Sequence, residues 1–537
     1  MRIYKTRAEF ARLQAAPSSN TFAGTVCTIT DEVANPMYVY QDNTWNSLVT
    51  TSTNLTGGIK LSIGETLFGG WPSATEPLGL IGDSRTENGG YFSPNVSAAS
   101  ISGSIISVTA PFIGTQAAVG STVIWSHNPA VTVLTTSYDF IVATVVSVVD
   151  ANNITAQITY PTTLNCLPSG ALNLLNSKCM IDCNYPNYSS SIQAWLLGLR
   201  NKAYSQVYNA GFNGARIQDG ITHQVPYLIA KGCKEFWIYL GINDIIENVD
   251  NRPATYLIEK YKELYLMLRG NKVVHFLEMP LSGAYATPVN KQRVLDVNAW
   301  IVANAASYGV SVFDAYTPIL DKSTGYAATG MLSDGIHHAQ KGSFVTAMSA
   351  QGNLNFLSPG NYKASKSDLG SALQPVPNPT FNGTYGLSQL ATGYSGIPAG
   401  VAIDSYALNL LGDGVTGEQE IHLTSTAAAQ SYGIKSSSFT VIPGQKYRIS
   451  MTMEVIDGVS VDYIAMTLNQ QSNSAKYGDV FYQANPGYAD GSYILTASAD
   501  YVCHATLTSA HLKATIGFTG AGGATVKTRN WECRAIS

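Results

Sequence analysis

The chain has 537 residues, too many for a single hydrophobic core, so two to four domains are expected. Only 12% of residues are charged and the net charge is −4, with no basic block or Arg-rich stripe, which argues against a nucleic-acid partner. No apolar stretch is long enough to span a bilayer, and residues 1–10 lack the apolar core of a secretory signal, so neither a membrane span nor Sec export is expected.

Residues 1–70 read as a small separate module, with short strands at 25–30 and 37–40 and a turn at 41–44 before Trp45. Its expected role is attachment or oligomerisation, with a plain folded cap as the alternative. Residues 51–70, rich in Thr, Ser and Gly, read as its linker. The second domain, 71–358, opens on Leu78-Gly79-Leu80-Ile81, an apolar run consistent with a strand buried on both faces. It ends at Gly82-Asp83-Ser84. A turn there would lift a serine hydroxyl into the crevice where open α/β sheets bind ligands.

From about 92 to 185 there is no helical period. β-Branched runs at 105–109, 131–134, 141–149 and 154–160 replace it, the last placing Ile154, Ala156, Ile158 and Tyr160 on one face. This is expected to be a β-rich insertion, folded as a small sandwich. Glycan binding is one reading of its role; scaffolding or packing between subunits is the other and is favoured.

Strand–helix alternation resumes at Ser191. Trp195, Leu196, Leu199 and Tyr204 keep helical spacing, and a strand at 207–208 enters the 209–214 turn. A buried strand at 236–240 ends at Gly241-Ile242-Asn243-Asp244. Pro253 suits the start of a helix with a stripe of Leu257, Tyr261, Leu264, Tyr265 and Leu268. A strand at 273–277, a helix at 294–306 and a strand at 310–313 follow. This rhythm predicts an α/β domain with a parallel sheet covered on both faces. A Pro-rich boundary at 375–379 introduces 376–537, expected to be a β-sandwich of short strands, in which 447, 449, 451 and 453 alternate as apolar positions.

Seven cysteines, at 27, 166, 179, 183, 233, 503 and 533, are scattered and odd in number, and read as reduced, mostly buried thiols. Cys179 and Cys183 have no second Cys/His pair at zinc-ligand spacing, so no metal is expected.

A serine hydroxyl is a weak nucleophile and needs an adjacent base. Ser333-Asp334-Gly335-Ile336-His337-His338 offers one, since an Asp three residues before a His can orient its imidazole. His337 and His338 compete for that role, and spacing favours His337. Gly214, Asn243 and the N–H of Ser84 are candidate donors to an oxyanion. Asp83 and Asp244 read as carboxylates bracing loops. His223 reads as a surface or hydrogen-bonded histidine, and Arg216 as a contact for an acidic sugar or, more simply, a surface ion pair. No Gly-x-Ser-x-Gly elbow of an α/β-hydrolase is found.

The four segments, in this order, resemble the SGNH (GDSL-type) hydrolases. Gly82-Asp83-Ser84 matches the nucleophile block, 209–214 the glycine block, Gly241-Ile242-Asn243-Asp244 the G-x-N-D block and Asp334-Gly335-Ile336-His337 the D-x-x-H block. The resemblance implies a flavodoxin-like three-layer α/β/α fold and an esterase without cofactor. Ser84 would be nucleophile, His337 general base and acid, and Asp334 its orienter, with Ser84, Gly214 and Asn243 forming the oxyanion hole. It covers about 75–92 and 186–357. Arg85 departs from the usual Leu after the nucleophile.

The wider arrangement of N-terminal module, split hydrolase domain and carbohydrate-binding-like C-terminal sandwich resembles bacteriophage tailspike deacetylases. That resemblance implies a homotrimer on the virion tail, outside the cell after host lysis, joined to other tail proteins through the N-terminal module. Its substrate would be an O-acetylated bacterial surface polysaccharide, capsule or O-antigen. A secreted bacterial carbohydrate acetylesterase and a non-catalytic glycan-binding adhesin stand as the alternatives.

Overall fold

Five short runs rich in Leu, Ile, Val and aromatic residues form one parallel sheet: β1 (Leu78–Gly82), β2 (Val207–Asn209), β3 (Glu235–Tyr239), β4 (Lys272–Phe276) and β5 (Val310–Phe313). The computed structural model describes residues 2–5, 26–29, 37–41, 44–47, 77–87, 96–111, 113–117, 119–127, 140–160, 170–171, 177–181, 191–199, 207–246, 251–349, 376–378, 380–383, 385, 389–411, 417–470, 476–482, 490–503 and 507–535. The strand order is 2-1-3-4-5. This is the doubly wound order of flavodoxin-like folds, whose direction of winding switches between β1 and β3. Gly82 lies opposite Tyr239 in register, so both strands end level at that switch point.

Alternate residues of each strand serve opposite layers, as a two-residue period requires. Leu78, Leu80, Trp237, Tyr239, Val274 and Phe276 pack with the helices Ile192–Leu199 and Gln340–Ser349. Ile81, Phe236, Ile238 and Val273 pack with the helices Ala254–Met267 and Pro288–Asn304 on the other side. The expected stripe of Leu257, Tyr261, Leu264, Tyr265 and Leu268 is fully buried. The helix expected over 294–306 begins earlier, at Pro288, because Thr287 caps it by accepting from the Asn290 N–H at 3.1 Å.

β2 pairs with β1 only to the level of Leu80, so Gly82 has no strand beside it on that edge. Gln224 fills the gap. Its Oε1 accepts from the Gly82 N–H at 2.9 Å and its Nε2 donates to the Gly82 carbonyl at 2.8 Å. A side-chain amide thus continues the ladder up to the residue before Asp83-Ser84. It sits in a π-helical turn, Gly220–Gln224, of the kind that concentrates at functional sites.

The insertion contains Ala98–Ser102, Ile105–Thr109, Thr122–His127, Phe140–Asp150, Asn153–Tyr160, Gly170–Ala171 and Ser177–Ile181. These strands make one seven-stranded antiparallel sheet, not the expected sandwich. The reason is packing. One face carries the insertion's own core, including Ile106, Val108, Ile141, Ile154 and Ala156, while Ile124, Phe140 and Val142 on the other bury against the α/β domain. The Phe140 ring lies 5.9 Å from Phe212 and 5.7 Å from Tyr227. The α/β domain supplies the second layer that another sheet would have supplied. Residues 131–134 and Tyr204 lie outside the described residues.

The C-terminal unit is all β, but its strands are not uniformly short. Lys446–Gln470 and Ser509–Ala535 pair antiparallel along most of their length. Shifts in register between Ile456 and Tyr463 break the ladder into two stretches that take different outer neighbours. Extra residues of this kind bend a strand and raise its twist. Both stretches feed a single apolar cluster, which also takes in Trp195 and Phe344 of the α/β domain through Tyr493. In the N-terminal region Arg2–Lys5, Val26–Ile29, Met37–Gln41 and Thr44–Ser47 form a four-stranded sheet, of which Arg2–Lys5 and Thr44–Ser47 were not expected. The expected linker at 51–70 lies outside the described residues. Cys233, Cys503 and Cys533 are buried free thiols, and the other four cysteine side chains are not among those described.

Gln224→Leu strands a buried N–H and a buried C=O of Gly82, so chemical denaturation should show a loss on the order of 2–5 kcal/mol. His275 on β4 is fully buried, and burial first, then the Arg85 charge, pushes its pKa from 6.5 to about 3. An unfolded chain therefore takes up that proton first. The stabilisation is complete above about 6.5 and drains as pH falls through the folded value. Denaturation midpoints measured from pH 7 to 4 should fall more steeply for the native chain than for His275→Gln; parallel slopes would refute the assignment.

Candidate active site

The site is built on two loops. The first follows β1, where Asp83 leads into the short turn Ser84–Glu87. This turn is held by side chains from neighbouring segments: Asn209 Nδ2 donates to the Thr86 carbonyl at 2.8 Å, and Gln193 Nε2 to Thr86 Oγ1 at 3.1 Å. The second loop, 332–338, closes on itself. Ser333 N–H donates to the His337 carbonyl at 2.9 Å, and Leu332 bridges to His338.

Asp334 shapes that loop and aims its histidine. Oδ1 accepts from the Ile336 N–H at 3.1 Å and the His337 N–H at 2.9 Å, while Oδ2 accepts from His337 Nδ1 at 2.6 Å. Partial burial alone would raise the Asp334 pKa, but bonds from His337 and the Ile336 N–H outweigh it and hold the carboxyl below its usual value. An ionised carboxylate only accepts, so the imidazole proton sits on Nδ1. Nε2 is then left to accept from Ser84 Oγ at 2.6 Å. Two residues from opposite ends of the domain thus meet in an unbroken Ser–His–Asp hydrogen-bonded chain.

Of the two adjacent histidines it is His337 that makes both contacts. His338 is buried. Burial first, then the charge of Arg85, pushes its pKa from 6.5 to about 3, so it is neutral at pH 7.

The two remaining blocks sit beside the Ser84–Glu87 turn and are tied to each other. Asn243 Nδ2 donates to the Ala215 carbonyl at 2.9 Å, and Asp244 Oδ2 accepts from the Ile217 N–H at 2.9 Å. Consecutive residues after β3 therefore pin the loop after β2. Gly214 in that loop has φ +79°, a conformation open to glycine without strain. Neither its N–H nor that of Ser84 donates to an acceptor among the described residues. Arg216 forms the N-cap of the next helical turn, its N–H donating to Asp219 Oδ2 at 2.7 Å. His223 stacks on Phe140 of the insertion, with ring centroids 6.1 Å apart. Asp83 and Asp244 are braces, as expected.

One part of the site was not foreseen from sequence. Arg85, next to Ser84 in sequence, is buried and joins two buried carboxylates. Its Nε and Nη2 donate to Asp83 at 2.9 and 2.6 Å, and its Nη1 to Glu278 Oε2 at 2.6 Å. Its guanidinium lies 3.9 Å from the centre of the Tyr239 ring. Burial would lower the Arg85 pKa, but Asp83 and Glu278 raise it well above its usual value, while burial raises that of Glu278 despite the cation beside it. The lone signal in the sequence was that an Arg follows the serine where apolar Leu is usual. Gln224 was also missed, because no local pattern marks a glutamine whose partner lies in another strand.

Residues 181–343 match the family model of the GDSL-like lipase/acylhydrolases, a span that begins after Ser84 and holds the other three blocks. No curated protein matches the chain. Among solved structures, a lipolytic G-D-S-L family protein from Veillonella parvula shares 20% identity over 27% of this chain and 78% of its own, with a TM-score of 0.23. A lipase/acylhydrolase from Enterococcus faecalis shares 18% over 29% and 80%, with a TM-score of 0.26. A carbohydrate esterase family 3 protein from Talaromyces cellulolyticus shares 20% over 27% and 69%, with a TM-score of 0.23. At these values the likenesses carry no inference about substrate. Three of the four blocks thus lie inside the span that is similar to the GDSL-like lipase/acylhydrolases, and the sheet brings the fourth, at Ser84, to them.

Proposed function

We propose that the chain is a serine esterase that removes O-acetyl groups from a bacterial surface polysaccharide, capsule or O-antigen, as the tailspike of a bacteriophage. The observation that carries the esterase part is the chain of two 2.6 Å contacts, Ser84 Oγ to His337 Nε2 and His337 Nδ1 to Asp334.

In this reading His337 Nε2 takes the Ser84 proton as Oγ attacks the acetyl carbonyl carbon. The oxyanion that forms is met by the N–H groups of Ser84 and Gly214 and by the second amide hydrogen of Asn243, whose first is held by Ala215. His337 then gives its proton to the departing sugar oxygen, leaving Ser84 acetylated. A water, deprotonated by His337, attacks the acyl carbon; the bond to Ser84 Oγ breaks, His337 returns the proton to Oγ, and acetate leaves. Asp334 stays ionised throughout and stabilises the imidazolium.

The polysaccharide and tailspike parts rest on different support. β-Rich units precede, interrupt and follow the hydrolase domain, and a large flat substrate suits such surfaces better than a buried acyl pocket does. The N-terminal sheet would attach the protein to other tail proteins, and the assembled spike would be a homotrimer.

Ser84→Ala should reduce release of p-nitrophenol from p-nitrophenyl acetate by at least about 10³-fold, and Asp334→Asn should lower kcat by about 10²–10⁴-fold, because the wrong imidazole tautomer is then stabilised. Acetate released from a panel of acetylated bacterial capsules and O-antigens, followed enzymatically, should single out one polysaccharide, and light scattering after size exclusion should give a trimer. Cleavage restricted to lipid esters, or a monomer, would overturn the tailspike reading and leave the esterase intact.

A further inference from the structure

We propose that Arg85 is a positioning residue that, through Glu278, locks the turn carrying Ser84 to the loop carrying His337. The inference rests on the esterase reading above and assigns how its nucleophile and base are held at bonding distance.

Residues 278–282, which follow β4, touch both loops. At one end Glu278 Oε2 accepts from Arg85 Nη1 at 2.6 Å. At the other the Ser282 N–H donates to the Gly335 carbonyl at 3.1 Å, two residues before His337. The segment itself cannot drift, because Asn298 clamps Glu278 from both sides: its Oδ1 accepts from the Glu278 N–H at 2.8 Å and its Nδ2 donates to the Glu278 carbonyl at 2.6 Å. The far contact depends on glycine. Gly335 has φ +103°, and a Cβ there would come 2.4 Å from the Ser282 carbonyl oxygen.

On the nucleophile side, the residues immediately before and after Ser84 are fixed on the same guanidinium, since Asp83 accepts from Arg85 through both carboxylate oxygens. Arg85 also lies over Tyr239, and the Tyr239 ring faces His338 at 6.2 Å, so the cation approaches the base loop from a second direction. Three charges buried in this way are a poor route to stability, because desolvation consumes most of what their attraction gives. Their geometry is what a planar fork supplies and an ammonium cannot: two carboxylates engaged at once while the face stacks on a ring. A hydroxyl displaced by about 1 Å from its base can lose about 10²-fold in rate.

The test uses the full chain. Arg85→Lys keeps the charge but not the fork. Its kcat on p-nitrophenyl acetate should fall by about 10–100-fold with KM within about twofold of the native value, and phosphonylation of Ser84 by a fluorophosphonate should slow by the same factor. Circular dichroism and a melting curve above the assay temperature establish that the variant is folded. A folded Arg85→Lys with native kcat and native phosphonylation rate overturns the proposal, whatever its melting temperature. Should it not fold, Glu278→Gln, which keeps the shape and an acceptor, carries the test, with a loss of about 3–10-fold in kcat expected and native kcat refuting the proposal. Native protein that neither hydrolyses the ester nor reacts with the fluorophosphonate would instead refute the esterase reading, which is a different outcome.

Discussion

The hydrogen bond between Ser84 and His337 spans 253 positions of sequence, and nearly every local choice in the α/β domain serves to make it. The hydroxyl has to stand at the end of a strand that is immobile, and the imidazole has to arrive with its proton on the far nitrogen. The sheet meets the first demand by burying β1 centrally and continuing its ladder with the Gln224 amide after β2 has ended. Asp334 meets the second by using one carboxylate oxygen to fold the loop and the other to hold Nδ1. A loop that both bends and orients through one side chain leaves little freedom for the ring.

The buried charge of Arg85, next to Ser84, sorts the groups around it. Arg85 meets Asp83 and Glu278 in a volume closed to solvent, where leaving one partner unpaired costs about 3–5 kcal/mol. The same cation disfavours a second positive charge nearby, and His338 and His275 are both kept neutral by burial reinforced by Arg85. His337 lies partly in solvent and beside a carboxylate instead. Neighbours in sequence, the two histidines differ in what surrounds them: His337 touches Ser84 and Asp334, while His338 is buried near the Arg85 cation.

The parts of this molecule that could be read from sequence are those whose signal is local. Leu78–Gly82 announced itself by an apolar run and a Gly-Asp-Ser turn, Ala254–Met267 by a clean stripe after Pro253, and Asp334 with His337 by a spacing that one loop can satisfy. What stayed hidden was decided by distant partners. Nothing adjacent to Gln224 or Glu278 reveals that one completes a strand ladder and the other receives an arginine from a turn 193 positions away. The insertion departs from the expected sandwich for the same reason. Alternation on Thr122–His127 and Phe140–Asp150 places apolar residues on both faces, and sequence does not say whether the second face meets another sheet or the parent domain.

That second face also explains how so long an insertion can separate the Gly82-Asp83-Ser84 block from the rest of the domain. Closing a loop grows more costly only with the logarithm of its length, so a hundred residues are little worse than twenty if they fold among themselves. These do, around Ile106, Ile141 and Ile154. The chain leaves at the carboxyl end of β1, where loops of an open α/β sheet already gather, and the parallel pairing of β1 with β2 and β3 needs none of it. Docking through Phe140 onto Phe212 then fixes the insertion to the loop that contains Gly214. The interruption is therefore held beside the 209–214 loop by the same apolar cluster that takes in Phe212 and Ala215.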